Sequence, residues 1–429
     1  MVAGTCRIHG ALTNARIRLQ KALAPRMTTV AFFCMQQQGH LRRLLPLVSG
    51  VVARGATAVV FSHPLHEAEV RQAGAQFVDL FRGGTVASVD AETEPVAMRS
   101  VAFAARFLDD VVVDLKRIGA RLVVYDTFAL VGRLAARELQ VPAVNVCAGH
   151  NVDVARFRAA LEAEPRLHIG PVCRAAVASL QQRGYTDVTP FSYFDGRSSH
   201  LNIYSEPPEF LTPAERALWE PVAFFGSLPS VATSSTTNTS SWFPRAEGAL
   251  RVYISFGTII WRAYKPAAMA ALDVLCSVLG QRRDVTVLVS LGKLDDPDAI
   301  QRLRRDNVVV DTYVDQAAVL READLFITHH GLNSTHEAIW CGVPMLSYPF
   351  FWDQPALAAR CQTLGVALPL VTTPRSPLDA NSVATVLDEF TMRRAELLAA
   401  LATARTFEEN VMARRGEVVD RVLGLGSSP

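Results

Sequence analysis

The stretch ADLFITHHGLNSTHEAIWCGVPMLSYP, from Ala323 to Pro349, decides the fold. It opens on ADLFIT, an unbroken apolar run of strand length, and closes on a second one, VPMLSYP. Between them NSTHEAIWCG has helix composition, so HHGLNS reads as a turn from strand into helix. Strand, helix and strand in that order form a βαβ unit, the building block of doubly wound parallel sheets. The same alternation runs outward from this unit. RVYISFG, a helix from Pro266, VTVLVSLG and NVVVD precede it in the second half of the chain. The first half repeats the pattern with VAFFC (Val30–Cys34), a helix from His40 to Ala53, ATAVVFS, a helix from Pro64, and QFVDL. It continues with RLVVYD (Arg121–Asp126), a helix around Val131–Leu139, and PAVNVC. A Ser/Thr-rich segment, SVATSSTTNTSS (Ser230–Ser241), separates the halves and reads as a linker. The expected architecture is α/β, with two doubly wound Rossmann-like domains facing each other across a cleft. Ligands of such sheets bind outside the carboxyl ends of the strands, which makes the cleft the place to look.

Length and charge narrow the function. At 429 residues the chain is long for one core, and two domains of about 150–200 residues are expected. Met27 stands directly before the first strand, which makes residues 1–26 an extension, disordered or not translated. The alternative is a transit peptide, because that segment is basic and free of acid. The remaining divisions fall at 27–228, a linker at 229–246, 247–405, and a C-terminal helix in 406–429, around Thr406–Leu423, returning to the first domain. Lys and Arg total 43 against 41 Asp and Glu, so no global field favours nucleic acid or an anionic membrane. Seven scattered cysteines with no C-x-x-C pair fit reduced thiols in a cytoplasmic protein. No apolar run reaches the roughly 18 residues of a membrane span. There is no G-x-G-x-x-G after the first strand, no P-loop and no G-x-S-x-G elbow, which weighs against oxidoreductases, NTPases and α/β-hydrolases.

The deciding stretch also carries chemistry. Gly331 lets the backbone bend and approach a ligand closely. Asn333, Ser334 and Thr335 stand at the helix start, where unpaired N–H groups and the helix dipole suit an anion such as phosphate. His329, at the end of the strand, could donate to the same oxygens. Glu337, one turn in, could accept from a vicinal diol. Ser and Asn are also ordinary caps, and Glu337 could equally be a capping-box acid. A metal cluster of His329, His330 and His336 is disfavoured, because neighbouring strand residues face opposite ways and no Cys or acid sits at ligand spacing.

The longer run VVVDTYVDQAAVLREADLFITHHGLNSTHEAIWCGVPMLSYPFFWDQPALAARCQTLG, Val308 to Gly365, resembles the donor-binding signature of nucleotide-sugar glycosyltransferases of the GT-B fold. The likeness is to their natural-product branch, shared by plants and bacteria. The H-x-G-x-N-S core, the acid three places after the serine, Gly-Val-Pro and a terminal Asp-Gln all stand in register. QQQGHLRRLLPL, VYISFGT and FFGSLP extend a weaker likeness to most of the chain from Met27. The resemblance implies that 27–228 binds the acceptor and 247–405 the nucleotide-sugar donor. It implies that Tyr313 stacks on the base in place of the usual Trp, with Gln316 nearby. His329, Asn333 and Ser334, assisted by Thr258 of the SFGT loop, would hold the pyrophosphate; Glu337 would bind the ribose, and Asp353 and Gln354 the sugar hydroxyls. Two positions depart from the pattern. Asp315 replaces a Pro, and His330 replaces a small residue or Cys and points either into the core or into the donor pocket. An acid on the ribose favours UDP over dTDP, and an intact Asp-Gln pair favours a hydroxyl-rich hexose.

Transfer to an alcohol needs a base, and neutral imidazole suits the task near pH 7. His40, behind the first strand, occupies the family's base position, where a helix start disfavours the imidazolium. Asp126, at the carboxyl end of another strand, matches the family's partner acid. On its own a Gly-His pair is only an ordinary helix start; the donor signature is what makes it a candidate. The resemblance therefore implies an inverting hexosyltransferase of antibiotic or natural-product biosynthesis, moving a hexose from a UDP-glucose-like donor to a hydroxyl of a lipophilic polyketide, macrolide, terpenoid or phenolic. The UDP-sugar is a co-substrate, and neither a further cofactor nor a metal is expected. Residues from Arg82 to Arg117 and from His150 to Tyr204 are expected to form the acceptor wall, with members such as Phe103, Phe107, Phe191 and Phe194, although plain core packing is the better reading for each taken singly. A UDP-sugar epimerase or hydrolase on the same scaffold is an alternative, as is a non-catalytic nucleotide-sugar-binding partner protein. The expected state is a cytoplasmic monomer or weak dimer, without nucleic acid or stable membrane insertion, and with the need for an auxiliary partner left open.

Overall fold

The computed structural model describes residues 28–83, 99–147, 149–151, 158–159, 169–194, 196–228, 242–243 and 248–427. In the first half, β1 (Thr29–Phe33), β2 (Thr57–Ser62), β3 (Gln76–Asp79), β4 (Leu122–Asp126), β5 (Ala143–Val146), β6 (Leu201–Tyr204) and β7 (Val222–Phe224) form one sheet, ordered β3-β2-β1-β4-β5-β6-β7. In the second half, β8 (Leu250–Ser255), β9 (Val285–Ser290), β10 (Val308–Asp311), β11 (Leu325–Thr328), β12 (Met345–Ser347) and β13 (Ala367–Pro369) form another, ordered β10-β9-β8-β11-β12-β13. Every strand pair is parallel. The two sheets are the expected pair of Rossmann-like α/β units.

The strands are apolar on both faces because helices cover both. β1 sends Ala31 and Phe33 into one core and Val30 and Phe32 into the other. β8 splits in the same way, with Val252 and Ile254 on one side and Tyr253 on the other. Winding reverses between β1 and β4 in the first sheet and between β8 and β11 in the second. Those reversals open crevices at the strands' carboxyl ends, and the loops that carry the candidate residues sit there.

Three local expectations change. The helix placed from Pro64 is a 3₁₀ turn, Pro64–His66, followed by a short helix, Glu67–Gln72. The helix placed from His40 begins at Gln38 and runs to Ala53. The single helix expected around Thr406–Leu423 is two helices, Ala380–Ala413 and Arg415–Ser427. The first packs Leu387, Phe390, Leu401 and Ala404 into the cores of the second sheet. The second packs Val418, Val419 and Val422 into the first sheet's core. A straight rod cannot serve both surfaces, and the break at Arg414 re-aims the chain. Arg415 fixes the new direction by donating to the carbonyls of Phe225 (2.7 Å) and Leu228 (2.6 Å).

Residues 1–26 lie outside the described residues, as does the expected linker except Trp242 and Phe243; Phe243 is buried in a core of the second sheet. Among the described residues no helix is long and apolar enough to cross a membrane.

Candidate active site

His40 lies in the first turn of the helix Gln38–Ala53, just behind β1, and Asp126 is the last residue of β4. Because β1 and β4 are neighbours at the winding reversal, the two side chains meet. His40 Nδ1 is 3.0 and 2.9 Å from the two carboxylate oxygens of Asp126. Asp126 Oδ1 also accepts from the Phe128 N–H at 3.0 Å, which fixes the carboxylate. With Nδ1 donating to the acid, Nε2 carries the lone pair. Burial is the main influence on His40 and lowers its pKa; Asp126 pulls it back up, and the Arg43 guanidinium opposes the imidazolium. The arrangement is a neutral imidazole, oriented by a buried acid, able to accept a proton.

Across the cleft, HHGLNS is the turn from β11 into the helix Leu332–Cys341, which has Gly331 at its N-cap and no side-chain cap. Gly342, left-handed with φ 73°, ends this helix, and Pro344 follows two residues later. The His329 ring sits between two glycines. A Cβ on Gly331 would lie 2.4 Å from its Nε2, and one on Gly257 would lie 2.7 Å away. Gly257 is also left-handed, with φ 72°. Burial pushes His329 down to about 4, so it is a neutral donor near pH 7 and adds no positive charge to the dipole. Its Nδ1 is buried with no partner. Thr258 is exposed on the loop beside it.

Gln316 brings the ribose and phosphate candidates together. Its Nε2 donates to Ser334 Oγ at 3.0 Å and to Glu337 Oε2 at 2.6 Å. Burial raises the pKa of Glu337, while Gln316 and the Arg42 guanidinium pull it the other way. The departure at Asp315 has a local reason: its carboxylate caps the helix Gln316–Leu320 by accepting from the Ala318 N–H at 3.2 Å. Tyr313 is 47% exposed, so a ring face is open to stacking, and Lys293 Nζ lies 5.0 Å from its centroid. Asn333 reaches the other domain: its Nδ2 donates to the Gly39 carbonyl at 3.2 Å, which ties the His40 loop to the helix Leu332–Cys341.

The three histidines of the deciding stretch do not converge. His330 turns into the core with φ 58°, meeting Ser347 Oγ at 2.8 Å and Thr335 Oγ1 at 3.2 Å. His336 is buried on the far side of the helix, between Glu206 and Glu408. Among the described residues no group of three or more His, Cys, Asp or Glu could hold a metal ion.

Asp353 and Gln354 follow β12 at the cleft, and both are partly engaged. Asp353 Oδ2 accepts from the His150 N–H at 2.8 Å, and Gln354 Oε1 accepts from the Phe350 N–H at 2.9 Å. That leaves the other Asp353 oxygen and the Gln354 amide N–H groups for a ligand. Burial pushes Asp353 up to about 6. Phe103, Phe107 and Phe191 are buried in the first sheet's core, where the helix Arg99–Ile118 turns its apolar face inward, the packing favoured for each taken singly. Near His40, Phe128, Phe194 and Trp352 are partly buried and pack against the same core, which includes the buried Tyr193. Trp352 stacks on Tyr193 at 5.6 Å and meets Phe128 edge-on at 5.5 Å, and the Phe128 ring is 4.6 Å from that of His40. Sequence reading missed Trp352 although it adjoins Asp353, because only its left-handed backbone, φ 59°, swings the ring across the cleft.

Two Rossmann-like units, with a His–Asp pair at one winding reversal and an uncapped helix start at the other, define a two-domain protein of the GT-B class. Residues 222–402 match the family model described as UDP-glucoronosyl and UDP-glucosyl transferase. The second half of the chain is similar to this glycosyltransferase family. The oleandomycin glycosyltransferase of Streptomyces antibioticus is 26% identical over 437 residues, covering 93% of this chain and 96% of its own length. The NDP-glycosyltransferase YjiC of Bacillus subtilis (strain 168) is 28% identical over 256 residues; the match spans 58% of this chain and only 59% of that relative. Among solved structures, the glycotransferase of kitacinnamycin superimposes with a TM-score of 0.70 at 22% identity, covering 93% of this chain and 99% of its own, a likeness of fold.

Proposed function

We propose that this protein is an inverting glycosyltransferase that moves a hexose from a UDP-sugar to a hydroxyl of a lipophilic small molecule. The observation that carries the reading is the His40–Asp126 pair, 2.9 Å apart and opposite the donor helix. In this reading His40 Nε2 takes the proton of the acceptor hydroxyl as its oxygen attacks the anomeric carbon and the bond to UDP breaks. Asp126 stabilises the imidazolium that forms. Attack on the face opposite the leaving group inverts the anomeric centre. The leaving diphosphate lies at the uncapped start of Leu332–Cys341, with neutral His329 donating one hydrogen bond, so that no metal is needed. Tyr313 stacks on the base, Glu337 reads the ribose diol, and Asp353 and Gln354 bind sugar hydroxyls. The aromatic group of Phe128, Tyr193, Phe194 and Trp352 beside His40 favours an acceptor with a flat or apolar body.

The test is a donor-by-acceptor screen on purified protein, read by mass spectrometry, with His40→Ala beside the wild type. UDP-hexoses should be turned over far better than dTDP-deoxysugars, giving a glycoside and no free or epimerised sugar. His40→Ala should lose transfer by about 10²–10⁴-fold while UDP affinity stays near normal. Equal use of both donor classes removes the ribose argument, and an active His40→Ala moves the base elsewhere.

A further inference from the structure

His336 leaves the donor helix on the side away from the diphosphate cradle and is fully buried. Its Nε2 is 3.0 Å from Glu206 Oε1, and its Nδ1 pairs with Glu408. Glu206 belongs to the loop after β6 of the first sheet, and Glu408 to the long helix Ala380–Ala413; neither is exposed. An imidazole with a carboxylate on each nitrogen donates from both, which makes it an imidazolium. Glu206 then continues the chain of contacts, because its Oε2 lies 2.8 Å from His150 Nδ1. The backbone N–H of His150 is the group that holds Asp353 Oδ2 at 2.8 Å. Tyr204 steadies the same loop, its hydroxyl lying 3.4 Å from His150 Nδ1 and accepting from the Asn151 N–H at 2.8 Å. The loop comes so close that a Cβ on Gly149 would lie 2.4 Å from Asp353 Oδ2.

Stability alone is a poor reason for this arrangement, since buried ion pairs are often no better than apolar residues of the same volume. What the pairs do supply is geometry. They join four segments distant in sequence, at His150, Glu206, His336 and Glu408, and end on one oxygen of a carboxylate that faces the cleft. We infer that His336, Glu206 and His150 are positioning residues for Asp353, holding its second oxygen toward the hydroxyls of the donor sugar. The inference rests on Asp353 being a sugar ligand, as in the proposed function.

The experiment compares wild type, Glu206→Gln, Asp353→Asn and the double variant, with UDP-glucose and a deoxygenated UDP-hexose as donors and UDP binding measured separately. Glu206→Gln should raise KM for UDP-glucose about 10-fold and lose discrimination between the donors as Asp353→Asn does, with UDP affinity held within about twofold. The double variant should be no worse than Asp353→Asn alone. Additive losses, or a Glu206→Gln enzyme slowed equally with every donor, would overturn the positioning role. An Asp353→Asn enzyme with full discrimination removes the sugar-ligand reading itself, a result distinguishable from the others, and the relay then has nothing to position. If Glu206→Gln does not fold, His150→Gln, which keeps the backbone N–H, makes the same comparison.

Discussion

His40, His329, His330 and His336 are four copies of one side chain put to four uses, and their surroundings set each one. His40 has an acid on Nδ1, so its Nε2 is basic. His329 is held near 4 by burial and can only donate as a neutral ring. His330, pushed down to about 3 by burial, is a core residue bonded to Ser347. His336 is the reverse case: burial opposes its charge, yet Glu408 and Glu206 together push it up to about 10. The pair at His40 makes a prediction with a definite sign. In the proposed mechanism the base is neutral His40, so kcat/KM should rise with pH through its pKa, which burial sets below the ordinary 6.5. Asp126 raises that pKa, so removing its charge lowers it further. Asp126→Asn should therefore slow transfer by about 10²–10³-fold while its acidic limb moves to lower pH. A limb that stays put or moves up in a pH–rate profile contradicts the pairing.

At the scale of the element, the turn at Gly331 was legible because its parts are local: β11, Gly331 and the helix start are contiguous. The packing around it was not. Gly257 and Gly331 are 74 residues apart by number (331 − 257), yet both press on the His329 ring. Gly331→Ala should push that ring out of place, weakening UDP binding about 10-fold and destabilising the fold by about 1–3 kcal/mol. Calorimetric titration with UDP checks this, and unchanged affinity would show that the ring's position does not matter. Gln316 was read from the signature as a neighbour of the base. Its bridge to Ser334 and Glu337 needs the helix Gln316–Leu320 to pack against a helix that begins 16 residues further on (332 − 316), which no local pattern announces.

For the whole molecule the issue is what holds the two sheets in register across the cleft. Asn333 ties to Gly39, Arg360 donates to the Glu209 carbonyl, and His336 locks Glu206 to Glu408. The last contact makes stability depend on pH. His336 is raised from 6.5 to about 10, so its contribution is complete below pH 6.5 and is lost as pH rises through about 10. His336→Gln should lower Tm by about 5–10 °C at pH 7, and the gap should close as pH approaches 10. A constant gap in thermal melts would mean that the imidazolium is not what stabilises the seam. By itself the sequence determined the two parallel sheets and the anion-ready turn at Gly331, whereas the pairing of Asp126 with His40 was implied only by the family resemblance. Strand patterns, glycine turns and helix starts are short-range, so a few neighbouring residues suffice to write them. Only the tertiary structure decided that Trp352 joins Tyr193 across the cleft and that His336 bridges two carboxylates. Those contacts join residues 72 to 159 apart in sequence, and distant packing alone sets them.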